Sequence, residues 1–123
     1  MDLASVHLGA SGFSYADWVG PFYPTGIKKG DFLGYYAQHF SALEINYTYY
    51  RLPTTATMAR LVEKSEGKVR FTVKLTDLFT HHRSYSKEDV VAFAKAMEPL
   101  AEAGVLGCIL AQFPYSFKPT RPE

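Results

Sequence analysis

Val69-Arg70-Phe71-Thr72-Val73-Lys74 alternates apolar and polar side chains over six residues, the period of a β-strand. Val69, Phe71 and Val73 share one face, and Arg70, Thr72 and Lys74 share the other. Helical patterns flank this strand on both sides. Before it, Thr54 or Thr55 can start a helix with Met58, Leu61 and Val62 on one face. After it, Ser86 opens a helix with Asp89 at the capping-box position and a stripe of Val90, Phe93, Ala94 and Met97. Pro99 predicts a kink or a new start in that helix, and Gly104 predicts its stop.

Further out the alternation repeats. Val6 to Ala10, Leu43 to Tyr47 and Gly107 to Gln112 read as strands. Asp31 is placed to cap a helix carrying Phe32, Leu33, Tyr36 and Phe40. The segment from Ser11 to Gly30 holds Gly, Pro and five aromatics, and reads as a long loop. The tail from Phe113 to Glu123, with three prolines, is expected to be irregular. Strands alternating with helices imply right-handed crossovers and a parallel sheet.

The strand faces choose between parallel architectures. A strand between two helical layers is apolar on both sides. Here Leu43 and Ile45 oppose Glu44 and Asn46, and Gln112 closes a face with Leu110 and Cys108. One face meeting helices and the other meeting a polar interior is the arrangement of a barrel, whose sites lie at the C-terminal strand ends. A full barrel needs about 250 residues. The 123 residues here supply about four strands and three helices, so the expectation is a TIM-barrel type half barrel forming one domain, residues 1–123. Its first and fourth strands would have open edges, where a second copy can pair.

Composition narrows the partners. The chain is 47% hydrophobic and 20% charged, an ordinary globular mix, with a formal net charge of +1. That balance gives no broad electrostatic case for nucleic acid or an anionic membrane. Cys108 is the one cysteine, so an intramolecular disulfide is excluded. No apolar run approaches the roughly 20 residues of a membrane span. Without a signal-peptide pattern in its first residues, the chain is expected to be cytoplasmic.

Four segments, in order, carry a resemblance. They are Ser11-Gly12-Phe13-Ser14-Tyr15 with Asp17-Trp18 and Gly20-Pro21-Phe22-Tyr23-Pro24; Glu44-Ile45-Asn46-Tyr47-Thr48-Tyr49-Tyr50-Arg51-Leu52-Pro53; Phe71-Thr72-Val73-Lys74 with Thr80-His81; and Gln112-Phe113-Pro114 with Ser116-Phe117. Each falls at a strand end. Together they resemble the YecE-like family, domain of unknown function number seventy-two. The resemblance implies a TIM barrel about twice this length, of which this chain matches the N-terminal half, and brings no established activity. Tyr115 departs from the family pattern, in which a second proline often follows.

Several residues are suited to chemistry at the barrel mouth. Glu44 can act as a general base or bind hydroxyls, its structural alternative being a partner for Lys74 or Arg70. Lys74 can contact an anion, in preference to acting as a Schiff-base nucleophile. His81, to which the resemblance points, can shuttle protons, whereas His82 reads as a loop histidine. Asn46 and Gln112 can orient a ligand by hydrogen bonds. Among the 15% of aromatic residues, Tyr15 and Tyr49, with Arg51, are placed to stack on a sugar or base. Ser11 with Gly12 can present backbone N–H groups to a phosphate. The other loop aromatics, Phe13, Trp18, Tyr47 and Tyr50, read as packing. No set of ligands has metal spacing, and no motif identifies a cofactor.

Three functions follow as expectations. The first is an enzyme-like site for a small polar, anionic or sugar-like ligand, with Glu44 and His81 as acid-base groups and Lys74 as the anion contact. The second is a single-stranded nucleic-acid binding module, which near-neutral charge disfavours. The third is a truncated half barrel, inactive alone or paired with a second copy.

Overall fold

The computed structural model describes residues 2–119. Four strands form one sheet: β1 (Gly9–Ser11), β2 (Ala42–Ile45), β3 (Arg70–Lys74) and β4 (Leu106–Leu110). All pairs are parallel, in the order β1-β2-β3-β4. Three α-helices connect them: α1 (Phe32–Tyr36), α2 (Thr55–Ser65) and α3 (Lys87–Glu102). This is the half barrel that the alternation predicts.

The two faces of the sheet separate as the sequence pattern requires. Leu43 and Ile45 of β2 and Phe71 and Val73 of β3 are buried in one core with Leu33, Met58 and Phe93 of the helices. Across the other face, Ser11 lies opposite Glu44, Glu44 opposite Thr72, and Thr72 opposite Cys108. These four form one layer of the barrel interior. Ile109 shares the helix-side face with Val73, yet is 45% exposed. α3 meets β4 at one end, where Leu106 packs against the core, and Ile109 further along lies beyond that cover.

Two glycines let the strands approach. A Cβ at Gly9 would lie 1.7 Å from the Ala42 carbonyl oxygen, so only glycine permits β1 to sit this close to β2. At Gly107, where the β3–β4 register shifts, a Cβ would meet Arg70 Cγ at 3.0 Å. A tyrosine hydroxyl also joins the first two strands. Tyr36 OH accepts from the Ala10 N–H and donates to the Ala42 carbonyl, both at 2.7 Å.

Helix starts follow the capping signals, with one exception. Thr54 Oγ1 accepts from the Thr57 N–H at 3.2 Å. Ser86 and Asp89 form the reciprocal box, at 3.1 and 2.8 Å. Asp31 instead ends a 3-10 turn and makes no side-chain cap, and α1 is a five-residue helix. The stripe predicted for α3 also shifts. Phe93 and Met97 are buried with Ala96 and Leu100, while Val90 is 46% exposed and Ala94 is exposed. The packed face is thus rotated toward the C-terminal half of the helix, where α2 and the sheet meet it.

Pro99 neither ends nor restarts α3. Proline removes the hydrogen bond to the carbonyl four residues earlier. Here that carbonyl belongs to Lys95, and Thr55 Oγ1 of α2 donates to it at 3.4 Å. Gly104 does stop the segment, with φ +71°. The predicted strands are longer than those formed: the first begins at Gly9 rather than Val6, the second ends at Ile45, and the fourth ends at Leu110, leaving Gln112 beyond it. The tail is irregular through Pro119, and residues 120–123 lie outside the described residues.

Candidate functional site

The C-terminal ends of β1 and β2 bring three predicted residues together. Strand parity aims Ser11 and Glu44 into the interior, and Asn46 follows two residues later on the same side. Ser11 Oγ donates to Glu44 Oε1 at 3.2 Å, and Asn46 Nδ2 donates to Ser11 Oγ. The Gly12 N–H donates to the Glu44 carbonyl at 3.0 Å, which occupies one backbone donor of the Ser11-Gly12 pair. A cavity of about 180 Å³ opens here, lined in part by Tyr15, Glu44, Asn46 and Tyr47.

Lys74 ends β3 one strand away. Its carbonyl accepts from Thr48 Oγ1 at 2.6 Å, and Thr48 is fully buried. That bond ties the 3-10 turn after β2 to the end of β3 and fixes where the lysine side chain starts. Lys74 Nζ lies 5.3 Å from the centroid of the Tyr49 ring. Tyr49 in turn meets His81 edge-on, with centroids 5.1 Å apart at 89°. His81 sits in a single π-helical turn, Leu78–His82, and Thr80 Oγ1 lies 2.9 Å from its Nδ1. Ammonium, phenol ring and imidazole thus form a second cluster, on the β3 side of the mouth.

The ion pair expected between Glu44 and Lys74 does not form. Among the described residues the ion pairs are Lys68–Glu66 and His82–Asp77, at 2.8 and 3.3 Å. Both Glu44 and Lys74 are half-buried, and neither makes an ion pair among the described residues. Asp77 pairs with His82, the histidine read as a loop residue.

The remaining predicted residues divide. Tyr15 lines the cavity, but its hydroxyl donates to the Ser11 carbonyl at 2.7 Å and its ring packs on Trp18 at 4.9 Å. Arg51 lies over the Tyr47 ring, 5.5 Å from its centroid. Burial pushes the Tyr47 phenol above its ordinary range, against the lowering influence of Arg51 and the Thr57 hydroxyl. Gln112 is exposed and lies in the irregular tail beyond β4. Two interior residues were absent from the sequence-derived site. Thr72 sits beside Glu44 in the same layer and Cys108 beyond Thr72, with Oγ1 and Sγ 3.3 Å apart. The strand alternation that placed Glu44 inward was a sufficient signal for Thr72. No group of three metal-ligating side chains occurs among the described residues.

A parallel sheet backed by helices on one face, with polar groups collected at its C-terminal strand ends, defines a partial barrel of TIM type. The comparisons give the family. A model described as "Protein of unknown function DUF72" matches residues 7–123, and the chain belongs to that family. It is 30% identical over 116 residues to the UPF0759 protein YecE of Escherichia coli (strain K12), a match covering 93% of this chain and 39% of that protein. A DUF72 family protein of Thermotoga maritima MSB8 superimposes with a TM-score of 0.75 at 38% identity, covering 94% of this chain and 46% of that one. A DUF72 family protein of Enterococcus faecalis V583 gives 0.64 at 29% identity, covering 72% and 38%. The chain therefore spans less than half the length of these relatives. No helix among the described residues is long and apolar enough to cross a membrane.

Proposed function

We propose that the strand ends form a binding site for a small polar ligand, sugar-like or anionic, within a barrel whose N-terminal half is the domain of residues 1–123. The hydrogen-bonded set Ser11–Glu44–Asn46 carries this reading. It is a constellation of hydroxyl, carboxylate and amide on rigid strand ends, facing the barrel interior and free of a neutralising cation. Such groups recognise ligand hydroxyls by direct hydrogen bonds. Lys74 is the anion contact, held against Tyr49, and Glu44 and His81 are the acid-base pair if a reaction occurs. Asn46 orients the ligand. Gln112 and Arg51 join only if the loops carrying them close over the mouth.

Ligand-observed saturation-transfer NMR tests this against monosaccharides, hexose phosphates and small dicarboxylates. At least one class is expected to give a signal with the wild-type chain that is lost in both Glu44→Gln and Lys74→Ala. A ligand that binds both variants unchanged, or no ligand in the panel, would sink the reading. Circular dichroism of each variant separates lost binding from lost fold.

A further inference from the structure

A second cleft lies on the helix side of the sheet, between α1 and α2, with a volume of about 360 Å³. Its floor is apolar, made by Phe13, Leu33 and Leu61, of which Leu33 and Leu61 belong to the core. Its rim is cationic. Lys29 comes from the turn before α1, and Arg60 and Lys64 come from one face of α2, four residues apart. Lys64 Nζ reaches toward the turn before α1, within 3.8 Å of where a Cβ on Gly30 would stand. The Ser14 and Thr57 hydroxyls complete the lining.

Three cations share this cleft and no carboxylate lines it. The ion pairs among the described residues involve none of the three. Like charges gathered without a counter-charge repel, and an anion between them relieves that repulsion. A guanidinium with two ammonium groups matches a dianion better than a single carboxylate, because several donors converge on one centre. The apolar floor adds a demand for a hydrophobic body attached to the anion. A volume near 360 Å³ suits a small ligand of this kind.

We propose that this cleft binds a soluble phosphomonoester with a small apolar or aromatic body, its phosphate held by Lys29, Arg60 and Lys64 and its body resting on Phe13, Leu33 and Leu61. It stands apart from the strand-end site. The two cavities share Phe13 and Ser14, but Glu44 lines only the strand-end cavity and the three cations line only this one.

The test uses the full chain, ¹⁵N-labelled, titrated with phenyl phosphate, inorganic phosphate and benzoate. Phenyl phosphate is expected to bind most tightly and to shift the amides of Ser14, Gly30 and Thr57. Arg60→Gln and Lys64→Gln should each weaken it about tenfold, since each removes a charge-assisted hydrogen bond. Lys95→Gln, which makes the same charge change on α3 away from the cleft, should leave binding as in the wild type. Arg60 and Lys64 are exposed, so both variants should fold, and their amide spectra check this. Equal weakening by Lys95→Gln would reduce the effect to net charge and overturn the site. So would benzoate binding as tightly as phenyl phosphate, or shifts confined to the strand ends. Loss of the strand-end ligand in Glu44→Gln, with phenyl phosphate binding retained, would show the two sites to be independent.

Discussion

Replacing Tyr36 by Phe deletes one oxygen atom and, with it, a side-chain link between the first two strands. The ring stays, with its contacts to Phe40 at 5.0 Å and Phe22 at 6.4 Å. What is lost is the bond from the Ala10 N–H and the bond to the Ala42 carbonyl, both 2.7 Å. A net hydrogen bond is worth about 1 kcal/mol, and more where the abandoned partner is buried. Two lost together should cost about 2–3 kcal/mol, a large share of the roughly 5–15 kcal/mol that holds a domain folded. In urea this is a fall in midpoint of about 1–2 M with an unchanged slope. Trp18, packed against Tyr15, Phe22 and Tyr23, reports the transition by fluorescence. Tyr23→Phe is the internal reference, since its equally buried hydroxyl makes one bond, to the Phe13 carbonyl at 2.6 Å. Tyr36→Phe should cost clearly more. A midpoint no lower than that of Tyr23→Phe would refute the strand-clamp assignment.

Alkaline stability follows from the same buried phenols. Burial pushes Tyr23 from its ordinary 10.0 up to about 12, with Tyr36 nearby adding to the rise. Between those values the folded chain holds a proton that the unfolded chain releases, so stability is intact below pH 10 and falls as pH rises toward 12. Tyr23 and Tyr36, both raised by burial, contribute to that loss in the same direction. Urea midpoints measured from pH 8 to 12 should decline more gently in Tyr23→Phe, and a decline of equal steepness would remove Tyr23 as the cause. Gly9→Ala should detach β1, because the new Cβ meets the Ala42 carbonyl oxygen at 1.7 Å and backbone must move. Such overpacking costs about 1–3 kcal/mol, and amide exchange at Ala10 and Ser11 should accelerate well beyond that at Phe71. Uniform acceleration across the sheet would contradict a local cause.

Much of this fold was legible before any coordinate. The six residues from Val69 to Lys74 place Phe71 and Val73 on helices and Thr72 and Lys74 in the interior, and the structure has them there. Ser86 and Asp89 announce their capping box because both partners lie within four residues. The misreadings share one cause, which is that tertiary contacts decided them. Pro99 reads as a kink or a new start when α3 is considered alone, yet α3 is one helix from Lys87 to Glu102, and Thr55 on another helix engages the carbonyl that proline leaves free. The α3 stripe reads from Val90, but the face that buries is set by where α2 and the sheet stand. Strand lengths were overestimated because apolar alternation persists past the point where a neighbouring strand is available to pair.

The candidate site divides along the same line. Residue type and strand parity alone put Ser11, Glu44 and Asn46 on one interior side, since a period of two residues is a property of the chain. That Glu44 and Lys74 stay unpaired, that Tyr49 stands between Lys74 and His81, and that Thr48 anchors the end of β3 were not in the sequence. Each depends on how far one strand end lies from the next and on the angle at which a turn leaves it. The cationic cleft is the extreme case: Lys29 and the pair Arg60 and Lys64 are some thirty residues apart in sequence. Periodicity fixes which side of an element a residue occupies. Only the packing of α1 against α2 brings those charges around one cavity, because distances between elements are set by the side chains that fill the space between them.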